Sequence, residues 1–201
     1  AGSHVERFRV GDRLATGADV PCGAGEWGRK GLGNNCAINY AIGYQFPGGF
    51  ADYMPLNALT LRYGAVHQIP PELSYQEASL AEPLGCCINA LELSDIHLGD
   101  TVVVIGAGPI GCMLMRLARS FGASRVLAVQ RSRARVAIAR ELGGADEVIC
   151  TQDLDPVKGI LATTNEEGAD VVITANSSVE THKQALQMVR MQDLADRQIG
   201  Q

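Results

Sequence analysis

Aromatic residues make up only 5% of the 201-residue chain, with a single Trp, so its core has to be aliphatic. No apolar run approaches the roughly 20 residues needed to cross a bilayer as a helix, which excludes a helical membrane anchor within this sequence. A basic footprint is missing too. The formal charge of −5 and the isoelectric point near 5.4 argue against nucleic acid or an anionic membrane surface as partner. The N-terminus shows no charged region followed by an apolar stretch and a cleavage site, so a secretory signal is not expected and a cytoplasmic location is. Six cysteines, Cys22, Cys36, Cys86, Cys87, Cys112 and Cys150, are too few to serve as the framework of a chain this long. Charged residues at 19% and apolar residues at 46% then leave an ordinary globular protein.

Twenty-three glycines punctuate it unevenly. Residues 1–95 carry most of the turn signals, including Pro21-Cys22-Gly23, Gly31-Leu32-Gly33 and Pro47-Gly48-Gly49, with short candidate strands such as Arg13–Ala15 and Phe50–Met54 between them. Ser74 to about Leu93 has helical spacing, and Pro83 predicts a kink or break within it. From Gly99 onward the rhythm becomes strand, helix, strand, helix. Thr101–Ile105 is a β-branched run that suits a parallel strand buried on both faces. Further strands are predicted at Arg125–Val129, Glu147–Cys150 and Asp170–Ala175, with helices over 110–121, Arg133–Leu142, 155–163 and 179–191 between and after them. The expected fold class is α/β: a partial Rossmann, doubly wound parallel sheet over 96–201, preceded by an incomplete β-rich domain over 1–95.

Gly106-Ala107-Gly108-Pro109-Ile110-Gly111 matches G-x-G-x-x-G, follows a predicted strand and opens a predicted helix, which is the context the motif needs. Gly106 permits the tight turn, Gly108 lets the backbone approach a diphosphate, and Gly111 lets helix and strand pack closely. Free amides at the helix start bind the phosphate charge, and Pro109 stands where a missing N–H costs nothing. About 20 residues on, where an Asp or Glu normally accepts from the ribose hydroxyls, the chain has Gln130, Arg131, Ser132 and Arg133. Gln130 does not repel a 2′-phosphate, and an Arg pairs with one, so NADP is favoured over NAD. In the alternative, both arginines are solvated charges at a helix start and Gln130 binds a ribose hydroxyl.

These residues, together with Val10-Gly11-Asp12, Pro21-Cys22-Gly23, Gly48-Gly49-Phe50-Ala51-Asp52-Tyr53 and Ala81-Glu82-Pro83-Leu84-Gly85-Cys86, resemble the zinc-dependent medium-chain alcohol and polyol dehydrogenases, in particular the sorbitol and threonine dehydrogenase branch. The resemblance covers about residues 1–190. It implies a GroES-like first domain, NADP or NAD as cofactor, a catalytic zinc acting as Lewis acid on a small-molecule alcohol or polyol, Glu82 as a zinc ligand or water partner, and Cys86 facing the nicotinamide. The family's early Cys and Gly-His-Glu ligands have no match here, and the chain opens without Met on sequence like that just after them, so an N-terminally truncated and catalytically impaired member is expected. The family's structural zinc motif places four Cys at relative positions 0, 3, 6 and 14; here those positions hold Cys22, Gly25, Gly28 and Cys36. Two thiolates cannot close that site, so zinc is expected to leave it empty, with a mobile lobe or an oxidised Cys22–Cys36 pair instead. At the other end, the polar segment 191–201 replaces the family's next strand, leaving 171–175 as an open edge through which the chain could self-associate. A metal-free NADPH quinone-type reductase and a non-catalytic nucleotide-binding remnant are the alternatives.

Overall fold

A computed structural model describes Gly2 and residues 5–191. Its contacts divide the chain into two units that meet in sequence between Glu82 and Pro83.

The first unit is built from short pieces, as its turn residues dictate. β1 (Leu14–Thr16) pairs antiparallel with β4 (Val66–Gln68), and β2 (Asp19–Pro21) pairs antiparallel with β3 (Asn39–Ala41). Between β2 and β3 lies a glycine-rich lobe with a single helical turn, α1 (Glu26–Arg29), that buries no residue. Helix α2 (Ala58–Tyr63) is capped by Asn57, whose Oδ1 accepts from the Thr60 amide at 2.9 Å. Helix α3 (Tyr75–Ala78) starts with a capping box between Ser74 and Glu77. Phe50–Met54, expected as a strand, is a bend and loop: Phe50 and Tyr53 are exposed, and among the described residues no strand pairs with it.

The helical stretch after Ser74 breaks at Ser79-Leu80 rather than at Pro83. Helix α4 (Ala81–Glu92) accepts Pro83 because it falls in the first turn, where an N–H has no intrahelical partner to lose. Its buried residues Cys87 and Leu91 pack into the core of the second unit.

That second unit is a four-stranded parallel sheet. β5 (Thr101–Ile105) leads to α5 (Pro109–Ser120), β6 (Arg125–Gln130) to α6 (Val136–Glu141), β7 (Glu147–Cys150) to α7 (Pro156–Thr163), and β8 (Val171–Thr174) to α8 (Val179–Met188). The strand order is β7-β6-β5-β8, so the chain returns to the far side of β5 after β7. Alternate residues of the central strands feed two separate cores. Val102, Val104, Val126 and Ala128 pack with Leu114, Met115, Ala118 and Ala139, whereas Val103, Ile105, Leu127 and Val129 pack with Ile160, Ala185 and Met188. A strand covered on both faces needs apolar residues at every position, which is why Thr101–Ile105 reads as an unbroken run. Among the described residues β8 has one strand neighbour, and an isolated bridge from Ala169 to Val189 touches the edge at its start. The segment 192–201 lies outside the described residues, as do Ala1, Ser3 and His4 of the opening.

Carboxylates pin the start of this sheet. Asp146 accepts from the Val126 amide at 2.8 Å and pairs with Arg119. Burial by itself raises the Asp146 pKa, but the Val126 N–H and the charges of Arg119 and Arg125 outweigh it and hold the group below the ordinary carboxylate value. A depressed folded-state pKa contributes stability above the unfolded value of about 3.9 and loses it as the pH falls through the folded value. Asp146→Asn is therefore expected to cost about 1 kcal/mol at pH 7, a modest figure because the pair is partly solvated. Urea midpoints of the two proteins should converge as the pH falls from about 5 toward 3; a gap unchanged over that range would remove the charge from the account.

Candidate nucleotide-binding site

The C-terminal ends of β5, β6 and β8 converge on one cavity of about 340 Å³, the size of a small-ligand pocket. Gly106, Gly108, Gln130, Arg131, Arg135 and Asn176 are among its lining residues. It sits at the position where the sheet reverses its order, the place where doubly wound folds put their ligands.

Each glycine of the turn has a distinct steric task. Gly106 has φ +113°, a backbone conformation that disfavours side chains, and its amide donates to the Val129 carbonyl at 2.9 Å. A Cβ on Gly111 would stand 1.8 Å from the Gly106 carbonyl oxygen, so the helix can start this close to the strand only without one. Gly108 is the opposite case: a Cβ there would meet nothing within 4 Å, which leaves the backbone open to an approaching group. Gly108 caps α5, Pro109 is its first residue, and the Cys112 amide is the first to reach back into the helix, to the Gly108 carbonyl at 2.9 Å. The amides of Ile110 and Gly111 thus belong to the first turn, which has no intrahelical acceptors for them and carries the positive end of the helix dipole. A cradle of this shape fits a dinucleotide diphosphate.

Gln130 has a task the sequence did not announce. Its Oε1 accepts from the Ala107 amide at 2.8 Å and the residue is buried, so it fixes the turn from behind while lining the cavity. Arg131 is exposed on the cavity wall. Arg133 is committed elsewhere: it pairs with Asp153, and that hydrogen bond lowers the Asp153 pKa. Arg135, which spacing did not single out, takes its place beside Arg131 in the lining. Asn176 closes the far side, donating to the Ile105 carbonyl at 3.1 Å and accepting from the Ser178 amide at 2.9 Å. Among the described residues that line this cavity there is no carboxylate.

Cys86 is exposed on α4 and is not part of that lining, while its neighbour Cys87 is buried, which pushes the Cys87 thiol pKa up. In the first unit, Glu82 borders a separate cavity of about 490 Å³ with His67, Tyr75 and the apolar wall of Leu14 and Ala15. Cys22 and Cys36 face each other in the lobe at 3.3 Å between sulfurs. Hydrogen bonds from the Ala24 backbone amide, then the Cys36 thiol and the Gly25 amide, lower the Cys22 pKa.

Neither zinc site implied by the resemblance can be built from these side chains. Among the described residues no group of three or more His, Cys, Asp or Glu could hold a metal ion. A catalytic zinc needs about three protein ligands and a structural one about four, so Glu82, and separately the Cys22–Cys36 pair, fall short.

An open parallel sheet of order β7-β6-β5-β8 with a glycine turn at its switch point has the architecture of the Rossmann class, whose members bind dinucleotides at that point. Comparison narrows the class. Residues 109–192 match the family model described as zinc-binding dehydrogenase. The D-arabitol-phosphate dehydrogenase of Enterococcus avium is 31% identical over 95% of this chain and 53% of its own length. The sorbitol dehydrogenase of Bacillus subtilis is 32% identical over 94% of this chain and 52% of its own. Among solved structures, one described as a zinc-binding dehydrogenase from Sinorhizobium meliloti bound to NADP superposes with a TM-score of 0.83, at 31% identity, over 94% of this chain and 54% of that one. The chain is similar to zinc-dependent alcohol and polyol dehydrogenases over most of its length, and its residues 109–192 match the zinc-binding dehydrogenase model. It spans about half the length of the curated relatives it matches. With these relatives, the quinone-type reading is not favoured.

Proposed function

We propose that this chain carries the nicotinamide-cofactor site of an oxidoreductase that moves hydride between a small alcohol or polyol and NADP or NAD. The observation that supports the reading is the turn Gly106–Gly111, set at the mouth of a cavity and open at Gly108. The Gly108, Ile110 and Gly111 amides would take the diphosphate. The Ala107 turn would be held in place for it by Gln130, and Asn176 would fix the opposite lip. Arg131 and Arg135, in a cavity whose described lining has no carboxylate, favour the 2′-phosphate of NADP over a bare ribose. The cofactor would supply a hydride acceptor at its nicotinamide ring, and Gly108, Gln130, Arg131, Arg135 and Asn176 would bind and orient it.

The first unit would be the corresponding part of a GroES-like catalytic domain, with Glu82 the residue nearest the family's chemistry by position in the motif. A cytoplasmic location suits a chain with six cysteines and an expected dinucleotide ligand. Among the described residues no helix is long and apolar enough to cross a membrane. The edge of β8 is where a second copy would pair, and gel filtration measures that.

Binding is the readout that tests the cofactor reading. Fluorescence titration should show saturable uptake of NADPH at micromolar concentration and weaker uptake of NADH. Absence of binding for both up to about 1 mM would sink it. Tighter NADH would leave the site but overturn the 2′-phosphate preference.

A further inference from the structure

The resemblance implies a four-cysteine metal site at positions 22, 25, 28 and 36, but two of them are glycines here. What remains is two facing thiols and no third ligand among the described residues. We infer that Cys22 and Cys36 form a reversible intramolecular disulfide, a covalent clasp at a place where the donor set no longer suits zinc. The inference does not depend on the nucleotide site.

Geometry carries it. The two sulfurs are 3.3 Å apart, and a disulfide needs about 2.05 Å, so closure asks each side chain for a shift of well under 1 Å. Both cysteines are half-buried, reachable by a small oxidant yet held by their surroundings: the Cys36 sulfur also lies 3.2 Å from the Ile38 carbonyl oxygen. The segment between them has need of a clasp. It holds Gly23, Gly25, Gly28, Gly31 and Gly33, and neither α1 nor the following turn over Gly33–Asn35 buries a residue. Chain entropy is therefore opposed by little packing, and a link across its base removes much of its freedom.

The oxidant is a hydroperoxide. One thiol loses its proton and attacks the terminal peroxide oxygen, the O–O bond breaks, and a sulfenic acid forms as the leaving oxygen takes up a proton and departs as alcohol or water. The second thiol then attacks that sulfur. The S–S bond forms, the S–O bond breaks, and the hydroxyl leaves as water with the second thiol's proton. Two thiol sulfurs are oxidised together by two electrons, and the peroxide is reduced by the same two. A dithiol reductant reverses the clasp by exchange.

The full chain, reduced and then treated with one equivalent of hydrogen peroxide, tests this by peptide mapping and limited trypsin cleavage at Arg29 and Lys30, both exposed. Mapping should recover Cys22 joined to Cys36. Cleavage at Lys30 should slow about tenfold, and the nicked halves should stay together until reductant is added. Cys36→Ser should stop at a sulfenic acid that dimedone traps, with cleavage unaffected by peroxide. Mapping that pairs other cysteines, or nicked halves that separate without reductant, would overturn the inference. So would zinc ion alone shielding both thiols from a thiol reagent at one equivalent, since the site would then be a metal site. The wild-type comparison with and without reductant stands even if the variant fails to fold.

Discussion

Gly108→Leu is expected to weaken NADPH binding at least about 100-fold while moving the thermal midpoint by no more than about 2 °C. The two halves of that result come from separate facts. At Gly108 the backbone has φ −81°, which any residue adopts, and a Cβ would meet nothing within 4 Å, so the fold accepts a side chain. The space it fills is where the phosphates must approach, and losing two hydrogen bonds to a charged group, at about 1.5–3 kcal/mol each, accounts for the loss in affinity. Gly111→Ala should behave in the reverse way. An Ala inside a helix ordinarily stabilises by about 1 kcal/mol relative to Gly. Here its Cβ would lie 1.8 Å from the Gly106 carbonyl oxygen, so the turn must open, and the expected cost is about 3 kcal/mol or a fall near 10 °C in midpoint. Isothermal titration and thermal unfolding on both variants separate a steric block from a broken turn. If Gly108→Leu binds NADPH normally, the diphosphate does not sit on this turn.

That contrast also marks what a sequence can and cannot disclose. The run Thr101–Ile105 and the glycines at 106, 108 and 111 are local signals, because burial on both faces and a tight turn each restrict residue type where they occur. The break before α4 was not local. Pro83 looks like a breaker, but whether it breaks depends on which turn of the helix it occupies, and capping by Ser74 and Glu77 starts a separate helix upstream. Phe50–Met54 has strand-like composition and still forms loop, since a strand exists only where a partner offers its backbone. Gln130 was legible as a residue that is not acidic, whereas its bond to the Ala107 amide follows from the parallel register of β5 and β6. Arg135 and Asn176 gave no signal at all. They join Gly108 because three loops from the same end of the sheet meet there, a consequence of topology that no window of sequence contains.

Arg131 and Arg135 carry the second large effect. Replacing both with Ala should lower NADPH affinity about 100-fold and NADH affinity less than about threefold, because only the former presents a 2′-phosphate for charge-assisted hydrogen bonds. Both side chains line the cavity in a solvated setting, so the difference should shrink as salt is raised toward about 1 M, where the screening length is about 3 Å. Arg133 supplies the internal control. It stands between them in sequence, but its guanidinium is held by Asp153, an arrangement that raises the Arg133 pKa and lowers that of Asp153. Arg133→Ala should therefore leave the NADPH to NADH ratio within about twofold, since a rim ion pair is worth little. Equal losses for the two cofactors in the double variant would mean that the arginines shape the start of the helix and do not read the phosphate. A ratio that collapses in Arg133→Ala instead would place the 2′-phosphate on Arg133, released from Asp153, and Arg131 and Arg135 would not be the groups that read it.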